Sequence, residues 1–520
     1  MNTSPASPVS GKKSVSAKLR QVWNVFAYAA GYASGGGVTQ IQNLYYMNFL
    51  LYALLIPPWQ AALILGLSKV WDGFIDPVIG VLVDRTKSRF GSCRPWILAS
   101  VLPVAVTYFL LWTDLGISSE VLRFAYFFLA QILFSTALSI GTVPYEALLP
   151  RMVDGYNERT NFSAFRMIFS GVWAVASTWI YPKIIRVESL SDYAAHKDDF
   201  ALLGIVFGIM FAAPMLVTFI GAKEKPRSVP DGKLTIAGVF KSYAEILRVR
   251  LYKKYYALNM LGQFVSYATS ISLVLFVLLV YGEKDPVPLG IGSLTLPFAL
   301  TFLVVNIRGA FEIGFFIPNV VVMKKKNKHF PLFIDLPLLF AGLIIFFFFV
   351  DSSAPIWVCL AGAAFLGMGI SCLSIVPNTL MPDLPDVDEL TYGKRREGEN
   401  GGLLTLGRQL VQGLCFLIFG FILAAFELSE DTASPEQATA ATLSAVKFML
   451  CALPFLGGIA MFLVSRSYNL DAKSHAAIKA RIAEKREKGF AETTPEEQRT
   501  FEEITGIEYS KLWIAGKGGT

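Results

Sequence analysis

Long uncharged apolar blocks constrain this chain more than any other feature. Pro95–Thr113, Ala201–Gly221, Ile356–Val376 and Phe448–Val464 run for 17–21 residues without a charged side chain. A helix needs about 20 such residues to cross a hydrocarbon core roughly 30 Å thick. Only 16% of the residues are charged and 54% are hydrophobic, where a soluble domain carries about 25% charge. The chain is therefore read as an all-α membrane protein. Apolar sequence starts only near Val22, after a polar and basic stretch, so the first helix is expected to act as its own insertion signal.

Charges and Pro/Gly breaks set out twelve expected membrane helices, I to XII: 22–53, 59–83, 94–113, 121–148, 161–182, 201–221, 254–282, 290–323, 330–350, 355–380, 399–426 and 439–465. Helix VIII is interrupted by Arg308. With the N-terminus inside, 36 of the 46 Lys and Arg residues fall on inner segments and five on outer connections. That asymmetry predicts cytoplasmic termini and an even helix count. It also accounts for the net charge of +7 without a nucleic-acid partner. The expected domains are an N-terminal tail (1–21), a six-helix half (22–221), a basic linker (222–253), a second six-helix half (254–466) and a soluble cytoplasmic tail (467–520). Val143-Pro144 with Pro150 and Val376-Pro377 with Pro382 hint at a parallel repeat, the plan of the major facilitator fold. In the tail, Asp471–Lys488 reads as an exposed charged helix, and Thr494-Pro495-Glu496-Glu497 as a helix start.

A charge inside a membrane helix costs at least ~2.5–3.5 kcal/mol, so each one needs a reason. Lys69, Asp72 and Asp76 lie three and four residues apart, on one face of helix II. Two ionised carboxylates one turn apart repel, and they relax by taking up a proton or sharing a cation. A structural Lys69 salt bridge with one acid is the alternative, and it leaves the other acid unexplained. Pro77 frees the carbonyl of Gly73. Helix IV carries a polar stripe of Ser135, Ser139, Thr142 and Glu146, helix I one of Tyr28, Tyr32, Thr39, Asn43 and Tyr46, and helix VII one of Asn259, Gln263, Tyr267 and Ser270. The helix I and IV stripes suit either a sugar-like solute or plain helix packing. Arg166 on helix V can grip hydroxyls or an anion bidentately. Arg308 and Glu312 read as a structural i, i+4 pair, and Asp335 as an interfacial ion pair with Lys324–Lys328. Asp84, Arg85 and Arg89 at the inner end of helix II, with Asp388, Arg395 and Arg396 near that of helix XI, are expected to form a charged inner gate. The five cysteines read as core residues, and the three histidines share no metal-ligand spacing. No nucleophile–base pair at membrane depth points to an enzyme, and no cofactor is expected.

The string Trp71-Asp72-Gly73-Phe74-Ile75-Asp76-Pro77, with Gly80, Asp84-Arg85-Thr86, Ser88-Arg89-Phe90-Gly91 and Arg94-Pro95-Trp96, resembles the signature of the glycoside–pentoside–hexuronide cation symporters. This is the melibiose permease family of the major facilitator superfamily. The resemblance continues in Val143–Leu148, Asn157–Thr160, Arg166, Asp386–Leu390 and Gly393–Gly398. It implies a cation site from Asp72 and Asp76 with a hydroxyl at Ser139, to which Thr142 is added. It associates Arg166 with sugar binding. Tyr32, Asn43, Glu146, Gln263, Tyr267, Arg408 and Gln409 complete the candidate substrate site. The family's sugar-binding acids fall on Ala33–Gly37, where none exists, and on Thr142, and its helix XI lysine falls on Gln409, so galactoside specificity does not carry over. Ile75 stands where sodium-using members place an amide, which favours H+ over Na+ as the coupling ion. The family is also similar to animal sodium-dependent lysophospholipid transporters, which keeps an amphiphile open. The expectation is a bacterial inner-membrane symporter for a small polar solute and a monovalent cation.

Overall fold

The computed structural model describes residues 15–153, 156–185, 197–224, 236–282, 287–288, 295–296, 300–426 and 439–516. Residues 225–235 of the expected linker, and the side chains of Asp84, Thr39 and Asn157–Thr160, lie outside the described residues.

The first helical set comprises α1 (Val15–Ile41), α2 (Pro58–Arg85), α3 (Arg94–Leu111), α4 (Glu120–Met152), α5 (Tyr156–Ile184) and α6 (Lys197–Gly221). A short amphipathic helix, α7 (Ile236–Ile246), leads to the second set. That set comprises α8 (Arg250–Phe276), α9 (Leu300–Gly314), α10 (Phe316–Lys325), α11 (Leu332–Phe348), α12 (Ile356–Leu380), α13 (Leu384–Tyr392), α14 (Glu397–Ala425), α15 (Ala440–Lys447) and α16 (Leu453–Arg466). Among the described residues, eight helical spans are long and apolar enough to cross a membrane by length and composition. Prolines mark several helix starts, as at Pro58 in α2 and Pro95 in α3, where the missing N–H is one the helix would leave unbonded anyway. Wider π turns extend α1 through Gln42–Tyr46 and Phe49–Ala53; such bulges gather at functional positions.

The two sets repeat one packing scheme. In the first, α1 packs on α5 and α6, α3 on α4, and α2 on α4. In the second, α8 packs on α14 and α16, α11 on α12, and α9 on α12. The sets meet chiefly along α2 and α14. That seam is built of glycines: a Cβ on Gly413 would lie 2.7 Å from the Gly66 carbonyl oxygen, and one on Gly420 would collide with Ala62. Small residues allow this backbone approach, and dispersion across the seam replaces the hydrophobic drive that lipid does not supply.

Three expectations need correction. The eighth helix starts at Leu300, not at residue 290. Before it, Val287–Pro288 (β1) pairs antiparallel with Thr295–Leu296 (β2). The apolar run there is punctuated by Pro286, Pro288, Gly290 and Gly292, which suits a hairpin better than a helix. The break in that helix falls at Phe315, where Pro318 cannot bond the Gly314 carbonyl, and not at Arg308. The tail helix α17 (Ala472–Lys488) is not simply exposed. Ile478, Ile482 and Lys485 are buried, because α17 and the capped helix α18 (Pro495–Thr505) dock on α13 and α8. Lys485 Nζ donates to the carbonyls of Trp513 and Gly516 and sits 4.4 Å from the Trp513 ring centre. All five cysteines are buried and none forms a disulfide.

Candidate functional site

Near the middle of α2, the two acids have different surroundings. Lys69 Nζ lies 3.0 Å from Asp72 Oδ2, and the Ser135 hydroxyl of α4 donates to Asp72 Oδ1. Asp72 is thus buried but compensated. One turn on, Asp76 Oδ1 is buried with no hydrogen-bond partner, while the Ser139 hydroxyl faces the same carboxyl. A lone buried carboxylate oxygen beside another acid lacks the hydrogen bond that offsets its desolvation. The Thr142 hydroxyl donates to the Leu138 carbonyl of its own helix at 3.0 Å, leaving only its lone pairs to face outward. Ser135, rather than Thr142, supplies a hydroxyl to Asp72. Its place in the helix IV stripe was the available signal, four residues before Ser139.

A second cluster joins α1, α4 and α5. Arg166 bridges to Glu146 and stacks 4.3 Å from the Tyr32 ring centre. Tyr145 stacks on Tyr28 at 4.9 Å and on Tyr32 at 5.9 Å, so three phenol rings wall the guanidinium. The Glu146 side chain remains 51% exposed although it belongs to a membrane-length helix. From the second set, Arg408 of α14 brings its charge within reach of Tyr32 on α1 and of Tyr255 and Tyr267 on α8, and its Nε is buried with no hydrogen-bond partner. Arg166, Glu146, Tyr32, Tyr267 and Arg408 therefore form one constellation across the two sets. Gln263 and Gln409 are half-buried on α8 and α14. Asn43 is used differently: its Oδ1 accepts from Gln412 Nε2 at 2.8 Å, tying α14 to the π turn after α1. Gln412 went unmarked in the sequence because one Gln on an apolar helix carries no pattern.

The charged inner ends also pair in detail. Arg396 grips Asp388 with two bonds of 2.6 and 2.9 Å and reaches Glu245 of α7 at 3.0 Å. Arg395 lies 2.7 Å from Asp386 and 3.3 Å from Glu389. The tail adds His475 to Asp386 at 2.9 Å and Arg486 to Glu389 at 2.5 Å. Arg396 thus joins Asp388 to α7, while Arg395 shares Asp386 and Glu389 with the tail. At the end of α2, Arg85 and Arg89 are exposed, and Arg89 lies 4.8 Å from the Phe90 ring centre. The loop beyond is tightly built. Trp96 donates to the Thr86 hydroxyl at 2.8 Å, and Glu224 caps the start of α3 through the N–H groups of Cys93 (2.7 Å) and Arg94 (2.9 Å).

Residues 27–472 match the family described as MFS/sugar transport protein. The chain belongs to that family. Its members are multi-pass membrane transporters, and this chain is one. An uncharacterized symporter of Synechocystis is 25% identical, covering 89% of this chain and 97% of that protein. The sphingosine-1-phosphate transporter MFSD2B of Xenopus tropicalis is 24% identical over 69% of this chain and 72% of its own length. Sodium-dependent lysophosphatidylcholine symporter 1-A of Danio rerio is 31% identical over a shorter stretch, 32% of this chain and 31% of that protein. Among solved structures, the nucleoside transporter NupG aligns with a TM-score of 0.56 at 11% identity, over 85% of this chain and 99% of NupG. The bacterial homologue of the human lysosomal transporter Spinster aligns with a TM-score of 0.58 at 11% identity, over 88% and 98%. These likenesses establish the transporter fold. A transporter of this family requires a small-molecule substrate and a membrane around it.

Proposed function

We propose that the chain is a cation-coupled symporter of the melibiose permease type, carrying a sugar, glycoside or similar small polar solute inward across a cell membrane, in a bacterium its inner membrane. Twelve spans in two six-helix halves, with both termini cytoplasmic, rock around the seam of α2 and α14 to give alternating access. The observation that carries the reading is Asp76 Oδ1, buried and unpartnered beside a neighbouring acid that Lys69 and Ser135 already satisfy. A monovalent cation completes that group, and H+ fits ahead of Na+, because Ile75 offers no oxygen where a hard cation needs several. Arg166, held over Tyr32, and Arg408, facing Tyr32 and Tyr267, bind the solute from opposite sides. The charge pairs at Asp388, Arg395 and Arg396, with Asp84 and Arg85 of α2 and Arg89 just beyond it, close the inner side in the outward-open state.

The test is uptake into proteoliposomes under an imposed proton or sodium gradient. Asp76→Asn should abolish uphill accumulation and leave downhill solute exchange. A variant that still concentrates solute would remove the coupling role, and strong sodium stimulation at constant pH would replace the proton by sodium. Reporter fusions after Pro230 and Ala472 should both read cytoplasm.

A second reading, transport of a lysolipid-like amphiphile, draws support from the relatives named for sphingosine-1-phosphate and lysophosphatidylcholine. Thermal-shift screening of sugars against lysolipids separates the two readings.

A further inference from the structure

The second helical set buries an acid that the proposed transport site does not use. Asp335, in the first turn of α11, is 0% exposed. Its Oδ2 accepts from Asn319 Nδ2 of α10 at 2.6 Å, and its Oδ1 is buried with no hydrogen-bond partner. Asn319 Nδ2 also donates to the Ser371 hydroxyl of α12 at 2.9 Å, and both residues are buried. The expected ion pair with the lysines before it is not formed. Lys328 turns instead to Asp383, 2.5 and 2.7 Å from its two oxygens.

No described cation faces this carboxyl from the elements around it. On α9 the nearest charged pair is engaged internally, with Arg308 on Ser270 and Glu312, and Glu312 on Ser374. From α12 the titratable neighbour is the Cys372 thiol, which donates to the Gly369 carbonyl. On α16, Arg466 is exposed at the helix end. Leaving an ionised carboxylate here would cost far more than any single hydrogen bond returns.

The arrangement parallels the first set. There Ser135 of α4 holds Asp72 of α2; here Ser371 of α12 holds Asn319 of α10, the continuation of α9. Packing of α2 on α4 matches that of α9 and α10 on α12. Ser135 lies fifteen residues past Glu120, and Ser371 fifteen past Ile356, the first residues of their helices. The difference is that Asp72 has a lysine, whereas Asp335 has the Asn319 amide and the Cys372 backbone N–H, neither of them a cation.

We propose that Asp335, braced by Asn319 and Ser371, is a second proton-binding site, separate from Asp72 and Asp76. The proton bonds to Oδ1, converting the carboxylate to a neutral acid, and it leaves to water when α10 and α11 part. Sodium does not fit: Asn319 presents its N–H₂ to both neighbours, so the site offers a carboxyl and one hydroxyl where a hard cation takes several oxygens. Occupancy of the site stands on the local structure alone; its use in transport rests on the symport reading.

Infrared spectroscopy of the purified protein at neutral pH tests occupancy without any substrate. The wild type should show a carboxylic-acid C=O stretch that is lost in Asp335→Asn and kept in Asp76→Asn. Ser371→Ala, which leaves the acid in place, should shift the same band, and this variant serves if Asp335→Asn does not fold. A spectrum in which neither substitution alters the carboxylic region overturns the site. Solute-driven alkalinisation of a weakly buffered medium then tests its use: Asp335→Asn should move one proton fewer per solute, and an unchanged count removes the site from the transport cycle. Absence of any solute-driven proton movement in the wild type would defeat the proton-coupled reading while leaving the infrared result standing.

Discussion

Among the described residues, each helical set holds an arginine–glutamate pair on its long helices, and the two are built differently. Arg166 and Glu146 come from separate helices, α5 and α4, with the guanidinium against Tyr32 and the carboxylate half exposed. Arg308 and Glu312 lie one turn apart on α9 and are pinned from other helices by Ser270 and Ser374. A pair on one helix persists however the helices move. A pair across two helices is remade whenever they shift, and its open face can exchange a partner for a ligand. The comparison teaches that similar charge chemistry serves structure in the second set and is free to serve recognition in the first.

The sharpest way to break this contrast is to remove the buried partner. Arg308→Met strands Glu312 and should cost about 3–5 kcal/mol of stability, read as a fall in melting temperature of the detergent-purified protein. Arg166→Lys should barely move that temperature, because Glu146 keeps water and a cation. It loses instead the bidentate fork offered to the solute, about 2 kcal/mol, or roughly 30-fold in solute affinity. Equal melting losses in the two variants would end the distinction.

Between the sets, Gly420→Val places a side chain where Ala62 already stands, and overpacking of this kind costs about 1–3 kcal/mol. Transport should fall with it, whereas the same change at Gly309, which has open space, should be silent. The smallest effect belongs to the tail on the second set. Thr494→Ala removes a capping box and should cost about 1 kcal/mol, seen as faster amide exchange in α18 with uptake unchanged.

Local patterns made part of this molecule legible. Asp72 and Asp76 share a face because of their spacing, Lys69 takes only one of them, and Thr494 caps α18 as its neighbours imply. What stayed hidden depends on partners far along the chain. Glu146 reads as a solute ligand from its stripe, but nothing local says that it meets Arg166 across 20 positions. Asp335 sat near four lysines in sequence and found an amide instead, because α10 turns Asn319 inward while Lys328 goes to Asp383. The hairpin before α9 was masked by apolar composition, where Pro and Gly outweighed hydropathy. The tail read as solvated because its few apolar residues, Ile478 and Ile482, gain meaning only once α13 lies beneath them.

That docked tail has a practical consequence. α17 and α18 rest on α13 and α8, both elements of the second set. Anything attached near Ala515 is therefore fastened to the second set and can serve as its pointer. A dye there, paired with one at Lys87 beyond the end of α2, would turn a change of conformation into a change of energy transfer, without placing a label inside the membrane.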